Sequence, residues 1–206
     1  LIARGLSLQE MALRRHLDAA VDQAAFIADA IRDGRYKFSD PALDDFISGT
    51  MAAAPQIGGL ILAGPNGKAL RVVRGASNST LQLDHFNLTG DRQLAEIADE
   101  IRLRKDPHWG PPVYRERAQT TSLNYRMPIR KGDQYLGFVA VAVSTHALSI
   151  LCTELSEPPR SLAFMLYGQD RVLAHPAMLG GSRPVSEAAP LHLLRTFGDR
   201  VIENFS

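Results

Sequence analysis

Trp109 to Leu151 reads WGPPVYRERAQTTSLNYRMPIRKGDQYLGFVAVAVSTHALSIL. Two apolar, alternating runs, residues 121–129 and 135–143, flank Lys131-Gly132-Asp133-Gln134. Alternation with a period of two is the pattern of a half-buried strand, and a short Gly-Asp turn between two such runs predicts a long hairpin. Ser144 or Thr145 then caps a helix that runs through Leu155. Upstream, the Asp106–Pro112 segment breaks a preceding helix, and Val113-Tyr114-Arg115 begins another sheet segment. No part of the stretch has a catalytic pattern.

Working outward, residues 6–33 read as one helix. Leu13, Leu17, Ala20, Val21, Ala24, Ile27, Ala28 and Ile31 make one stripe, and Gly34 is a C-cap. Its length of about 40 Å suits either an ordinary core helix or a stalk that leaves a membrane. Ser39-Asp40-Pro41 opens a second helix, carrying Leu43, Phe46, Ile47 and Met51. Residues 57–62 and 69–74 form a hairpin around Gly64-Pro65-Asn66-Gly67. Gly64 to Lys68 does not match a phosphate-binding loop, because Ala69 stands where that motif needs Ser or Thr. Residues 75–90 are polar and loop-like. A helix from about Asp91 to Lys105 shows Leu94, Ile97, Ala98 and Ile101 on one face. Glu157-Pro158-Pro159 is a domain junction, followed by a hairpin of residues 162–167 and 172–174. The segment from Pro184 is weakly patterned.

Composition bounds the chemistry. The chain has 206 residues, 45% of them hydrophobic, which is enough for a core. Lys and Arg total 23 against 22 acidic residues, a net charge of +1, so no nucleic-acid partner is expected. The single cysteine, Cys152, excludes an intrachain disulfide and reads as a buried small hydrophobe. No run reaches the ~18 apolar residues of a membrane-spanning helix. The chain starts at Leu1 and stops at Val201–Ser206 without a cap, so a longer parent is expected. The six histidines show no metal-binding spacing, and no nucleophile elbow occurs. Asp44 and Asp45 are adjacent on a helix and point apart. No catalytic residue, metal or cofactor is therefore expected. Asn78-Ser-Thr and Asn87-Leu-Thr match the glycosylation pattern, which carries little weight if the source is bacterial.

The order of elements, with Trp109-Gly-Pro-Pro-Val-Tyr114, Asn124-Tyr-Arg-Met-Pro-Ile129, Gly137–Ser144 and Leu148-Ser149, resembles a double Cache sensor. That is the extracytoplasmic, PAS-like module of bacterial receptors. Val172-Leu-Ala-His-Pro176 is similar to the strand entering the membrane-proximal Cache unit. The Trp-Gly-Pro-Pro-Val-Tyr and Val-Leu-Ala-His-Pro wording is most similar to sensor regions of bacterial class III adenylate/guanylate cyclases. The resemblance implies an α+β fold. A membrane-emergent stalk helix (1–35) packs on a distal Cache domain with a central antiparallel sheet and flanking helices (36–156). The start of a smaller, partial proximal Cache domain follows (157–206).

It also implies a periplasmic, ligand-sensing, non-enzymatic part of an inner-membrane receptor. The receptor would be a homodimer through the N-terminal helix and would control a cytoplasmic cyclase. A histidine kinase or diguanylate cyclase output, or a ligand-free spacer, are the alternatives. Amine-binding members carry an Asp where this chain has Ala142, which turns the expected small-molecule ligand toward an organic anion. The pocket of such a module lies between the sheet and the loop after the helix. Trp109 and Tyr114 would supply flat walls. Arg126 could pair a carboxylate in bidentate fashion, and Asn124 shares its side of the strand. His108 and Arg74 complete the candidates. Loop packing for Trp109 and solvated strand positions for Arg126 and Arg74 stay open at this level. His175, before Pro176, is expected to hold a turn.

Overall fold

The structure, a computed structural model, describes residues 2–75, 80–115, 119–157, 161–180 and 185–197, with side chains described from residue 10 onward. Pro158 and Pro159 of the expected junction, Asn78 and Ser79 of the first glycosylation pattern, and Val201–Ser206 lie outside the described residues. Two compact units emerge. One comprises residues 14–110 with 124–143, the other residues 1–13 with 111–123 and 144–206.

The first unit is built on an antiparallel sheet. Helix α1 (Ile2–Arg32) buries Ala20, Ala24, Ile27, Ala28 and Ile31, the stripe that the helical period anticipates. Helix α2 (Ala42–Ala52) follows; Asp40 accepts the backbone N–H of Ala42 at 3.0 Å, just ahead of its first turn. Gln23 of α1 donates to the Thr50 hydroxyl of α2 at 3.3 Å. Strands β1 (Gly59–Ala63), β2 (Lys68–Arg74), β3 (Leu81–Asn87), β4 (His108–Trp109), β6 (Thr120–Lys131) and β7 (Gln134–Ser144) take the order β3-β2-β1-β7-β6-β4. Helix α3 (Arg92–Leu103), capped by Asp91, packs Leu94 and Ile101 with Ala63, Ala69, Phe138 and Ala140 in one apolar cluster. These contacts define the α3 face of the sheet. Leu60, Leu62, Leu70, Val72, Val139 and Val141 alternate with those residues and are buried on the opposite face.

The strand β3 corrects the expectation of a loop over residues 75–90. It is an edge strand with no fully buried residue, so no apolar side betrays it. Cross-strand pairing holds it instead: Arg71 faces Asp84 in register and makes two hydrogen bonds to it, at 3.0 and 2.6 Å. Gly137 is another sheet device. Its φ is +142°, and a Cβ there would collide with the Ala63 carbonyl on β1.

In the second unit, β5 (Val113–Arg115) pairs with the opening residues of β6, Tyr114 opposite Thr121. Helix α4 (Thr145–Glu154) starts where the Ser144 hydroxyl accepts the Ala147 N–H at 3.0 Å. Strands β8 (Met165–Tyr167), β9 (Arg171–Ala174) and β10 (His192–Leu193) form a small antiparallel sheet in the order β10-β9-β8. His175 holds the turn after β9: its Nδ1 accepts the Ala177 N–H at 3.0 Å, and its own N–H donates to Ser149. Cys152 is fully buried on α4, and burial pushes its thiol up to about 11.

Candidate functional site

The α3 face carries one concentration of buried charge. Arg126 on β6 is 1% exposed, and its guanidinium makes an ion pair with the Glu100 carboxylate of α3. A buried charge needs such a partner, since desolvation without compensation costs several kcal/mol. Burial pulls the Arg126 pKa down, Glu100 raises it, and Arg104 adds to the lowering. Glu100 also accepts from His108 Nε2 at 3.1 Å and lies 3.6 Å from Arg104 Nε. His108 Nδ1 faces the Asp106 carbonyl at 3.2 Å. One carboxylate thus gathers two arginines and a histidine around it.

Arg126 is not fully satisfied by this arrangement. Its Nε is buried and has no hydrogen-bond partner among the described residues. The group lies against Gly110, where a Cβ would come within 2.6 Å of Nη2. The Gly110 N–H donates to the Asn124 carbonyl at 2.8 Å, which fixes the loop over the guanidinium. Beside His108, residues Arg104, Lys105, Asp106, Pro107 and His108 line an open hollow of about 380 Å³. Its rim carries the cationic side chains Arg104 and Lys105 and the Asp106 carboxylate.

Strand register sorts the expected site residues onto different faces. His108 pairs with Arg126, and Trp109 with Tyr125. Directly opposed residues share a side of the sheet. His108, Arg126 and Asn124 therefore belong to the α3 face. Trp109 lies on the reverse face, its ring 5.3 Å from that of Tyr125 in a tilted contact. Tyr125 is an ordinary sheet residue whose pKa burial raises. Arg74 also lies away from α3: it donates to the carbonyls of Ile57 at 3.1 Å, Ala54 at 3.2 Å, and Met51. It closes the carboxyl end of α2. Tyr114 is buried in the second unit. The structure thus brings together three of the six expected residues.

No family model matches this sequence, and no curated protein matches it. Solved structures do. The ligand-binding domain of the Campylobacter jejuni chemoreceptor Tlp3, in complex with 4-methylisoleucine, superposes with a TM-score of 0.62 at 13% identity, over 87% of this chain and 71% of that one. The extracellular domain of the putative histidine kinase mmHK1S-Z3 gives 0.62 at 16% identity, over 97% of this chain and 78% of that one. A domain of a putative sensory box/GGDEF family protein from Vibrio parahaemolyticus gives 0.56 at 13% identity, over 84% and 69%.

The fold is that of Cache-like sensor domains.

Within this Cache-like frame, Ala142 of β7 sits opposite Gly59 and on the same side as Ala140, which packs under α3. A methyl group therefore occupies this position of the α3 face. The fully buried cation on that face is Arg126, paired with Glu100. Sequence spacing does not single out Glu100, because it flanks the apolar stripe of α3 and pairs with a residue 26 positions away. Its one local signal is the i, i+4 spacing to Arg104. Among the described residues no group of three or more His, Cys, Asp or Glu could hold a metal ion. No described helix is long and apolar enough to cross a membrane.

Proposed function

We propose that this chain is the extracytoplasmic ligand-sensing region of a bacterial transmembrane receptor, and that its distal unit takes a small organic anion at Arg126. The carrying observation is a buried guanidinium with an orphan Nε on the α3 face of a Cache-like sheet. A ligand carboxylate entering from the hollow beside His108 replaces Glu100 as the acceptor for Arg126, with His108 and Asn124 at its flanks. Arg is suited to this exchange, because its planar fork binds any carboxylate in the same geometry. Release of Glu100 loosens α3 from the sheet. The change passes to α1, through which two copies pair, and on to a cytoplasmic output. The motifs around Trp109 and His175 favour an adenylate/guanylate cyclase output. The likeness to kinase and GGDEF-protein sensor domains supports a histidine kinase or diguanylate cyclase equally.

A second reading has its own observation. Glu100 already occupies Arg126, and the Arg126 side chain fills the space beneath Gly110. In this reading the domain is a ligand-free spacer that signals through dimer packing alone.

A thermal-shift screen of small mono- and dicarboxylates separates the two. Sensing predicts that at least one acid raises the Tm and that Arg126→Met abolishes the rise. A ligand at 100 times its Kd stabilises by about 2.7 kcal/mol, well within detection. If no carboxylate moves the Tm of the native chain, the spacer reading stands.

A further inference from the structure

Strand β3 ends the large sheet, and its outer edge pairs with no strand among the described residues. The bonds that bracket it fix the direction of its backbone groups. Gly75 donates to the Thr80 carbonyl at 2.9 Å, and Leu88 to the Gly67 carbonyl at 3.0 Å. Both pairs continue the register that sets Lys68 opposite Asn87 and Arg74 opposite Leu81. In an antiparallel ladder, hydrogen-bonded pairs alternate with non-hydrogen-bonded ones. Gln82, Asp84 and Phe86 therefore turn their N–H and C=O groups to β2, while Leu81, Leu83 and His85 turn theirs outward. No described residue hydrogen-bonds to those outward backbone groups.

A row of such groups invites another strand, and sheet edges are commonly blunted by lysine, proline or a bulge. This strand, LQLDHFN, has neither lysine nor proline, and its seven-residue register with β2 runs without a bulge. Leu81 and Leu83 are only half-buried, side by side on the face away from α3. Gln82 and Asp84 are exposed on the α3 face.

We infer that the outer edge of β3 is a self-association surface, which takes β3 of a second copy antiparallel about a two-fold axis at Leu83. A two-fold axis normal to the sheet keeps every residue on its own face, so the pairing must centre on a residue and not between two. Centring on Leu83, Asp84 or His85 engages most of the strand. With Asp84 at the centre, two carboxylates oppose each other. With His85 there, two imidazoles are opposed and Asp84 meets the Phe86 ring. Leu83 at the centre opposes no like charges. It exchanges both backbone bonds with Leu83 of the second copy, and Leu81 does the same with His85 of that copy. Gln82 meets Asp84 of the second copy at the closer, non-hydrogen-bonded spacing, where its amide donates to the carboxylate. Asp84 has room for this: Arg71 takes one bond on each oxygen, at 3.0 and 2.6 Å, and an ionised carboxylate accepts about four. The contact is confined to a strand edge, so association is weak and reversible. It does not rest on the reading of the Arg126 site, which uses no residue of β3.

The test is hydrogen–deuterium exchange of the 206-residue chain, followed amide by amide by NMR from about 20 µM to about 1 mM, alongside sedimentation equilibrium. The apparent mass should rise with concentration, and the Leu81, Leu83 and His85 amides should gain protection in step with it. The Gln82 and Asp84 amides, already bonded to β2, should not change. Gln82→Lys, at an exposed position, sets a cation against Asp84 of the second copy and should tighten association about fivefold. Gln82→Glu should weaken it by a similar factor. A monomer across the whole range, a rise in mass without protection at Leu83 and His85, or Gln82 variants that fail to move association in opposite directions would each overturn the inference.

Discussion

The Arg126 guanidinium occupies the volume that any side chain on Gly110 would need. A Cβ at position 110 would lie within 2.6 Å of Arg126 Nη2. The glycine in the Trp109-Gly110-Pro111-Pro112 loop is therefore explained by what passes beneath it, not by the turn. It lets the backbone close over a buried cation and donate to the Asn124 carbonyl in the same move.

Gly110→Ala is accordingly expected to destabilise the chain by about 1–3 kcal/mol, the usual cost of forcing an extra carbon into a packed site. The cost should fall sharply in Gly110→Ala/Arg126→Met, whose slimmer side chain can yield. Urea denaturation of the two single variants and the pair measures this coupling. Simple additivity would place the guanidinium elsewhere.

The two halves of the ion pair should not be equivalent. Glu100→Gln leaves a guanidinium that is almost wholly buried without its counter-charge, and a loss of about 3 kcal/mol is expected. Arg126→Met leaves Glu100, whose side chain is 37% exposed and keeps water and Arg104 as partners. Its cost should be clearly smaller. Equal losses from chemical denaturation would contradict the assignment of Arg126 as the desolvated member.

Arg74 separates structure from sensing. Its bonds to the carbonyls around the end of α2 predict that Arg74→Ala lowers stability by roughly 2 kcal/mol, with Arg74→Lys recovering only part because lysine lacks the fork. Any carboxylate-induced rise in Tm should persist in Arg74→Ala. Its disappearance there would return Arg74 to the ligand site.

Alkaline pH should unfold the chain in a defined window. Burial raises the Cys152 thiol from 9.0 to about 11 and the Tyr135 phenol from 10.0 to about 12. The folded state then holds protons that the unfolded state has released, so stability falls as pH rises from about 9 to about 12. Below pH 9 both contributions are fully present. Cys152→Ala should flatten the fall between about pH 9 and 11 specifically, as read from urea midpoints against pH. Iodoacetamide should spare Cys152 in the native chain at about pH 8, since the thiolate is scarce and the sulfur is buried.

Local pattern makes much of this fold legible. The helical stripe of α1, the capping residue of α4, and the hairpin around Gly132 depend on contacts within one or two turns of chain, and each is visible as spacing. The edge strand β3 is not, because its stability comes from backbone pairing and the Arg71–Asp84 pair rather than from an apolar side of its own.

Sequence alone determined that Asn124 and Arg126 must share one side of a strand and that Tyr125 must take the other, because a strand's side chains alternate with a period of two. It could not say which side α3 would cover. That choice came from the packing of Leu94 and Ile101 against Phe138 and Ala140, and it placed Glu100 on Arg126 while the β4–β6 register sent Trp109 to the reverse face. Alternation is a property of the backbone, whereas the partner of a buried charge is decided only when distant segments exclude water together.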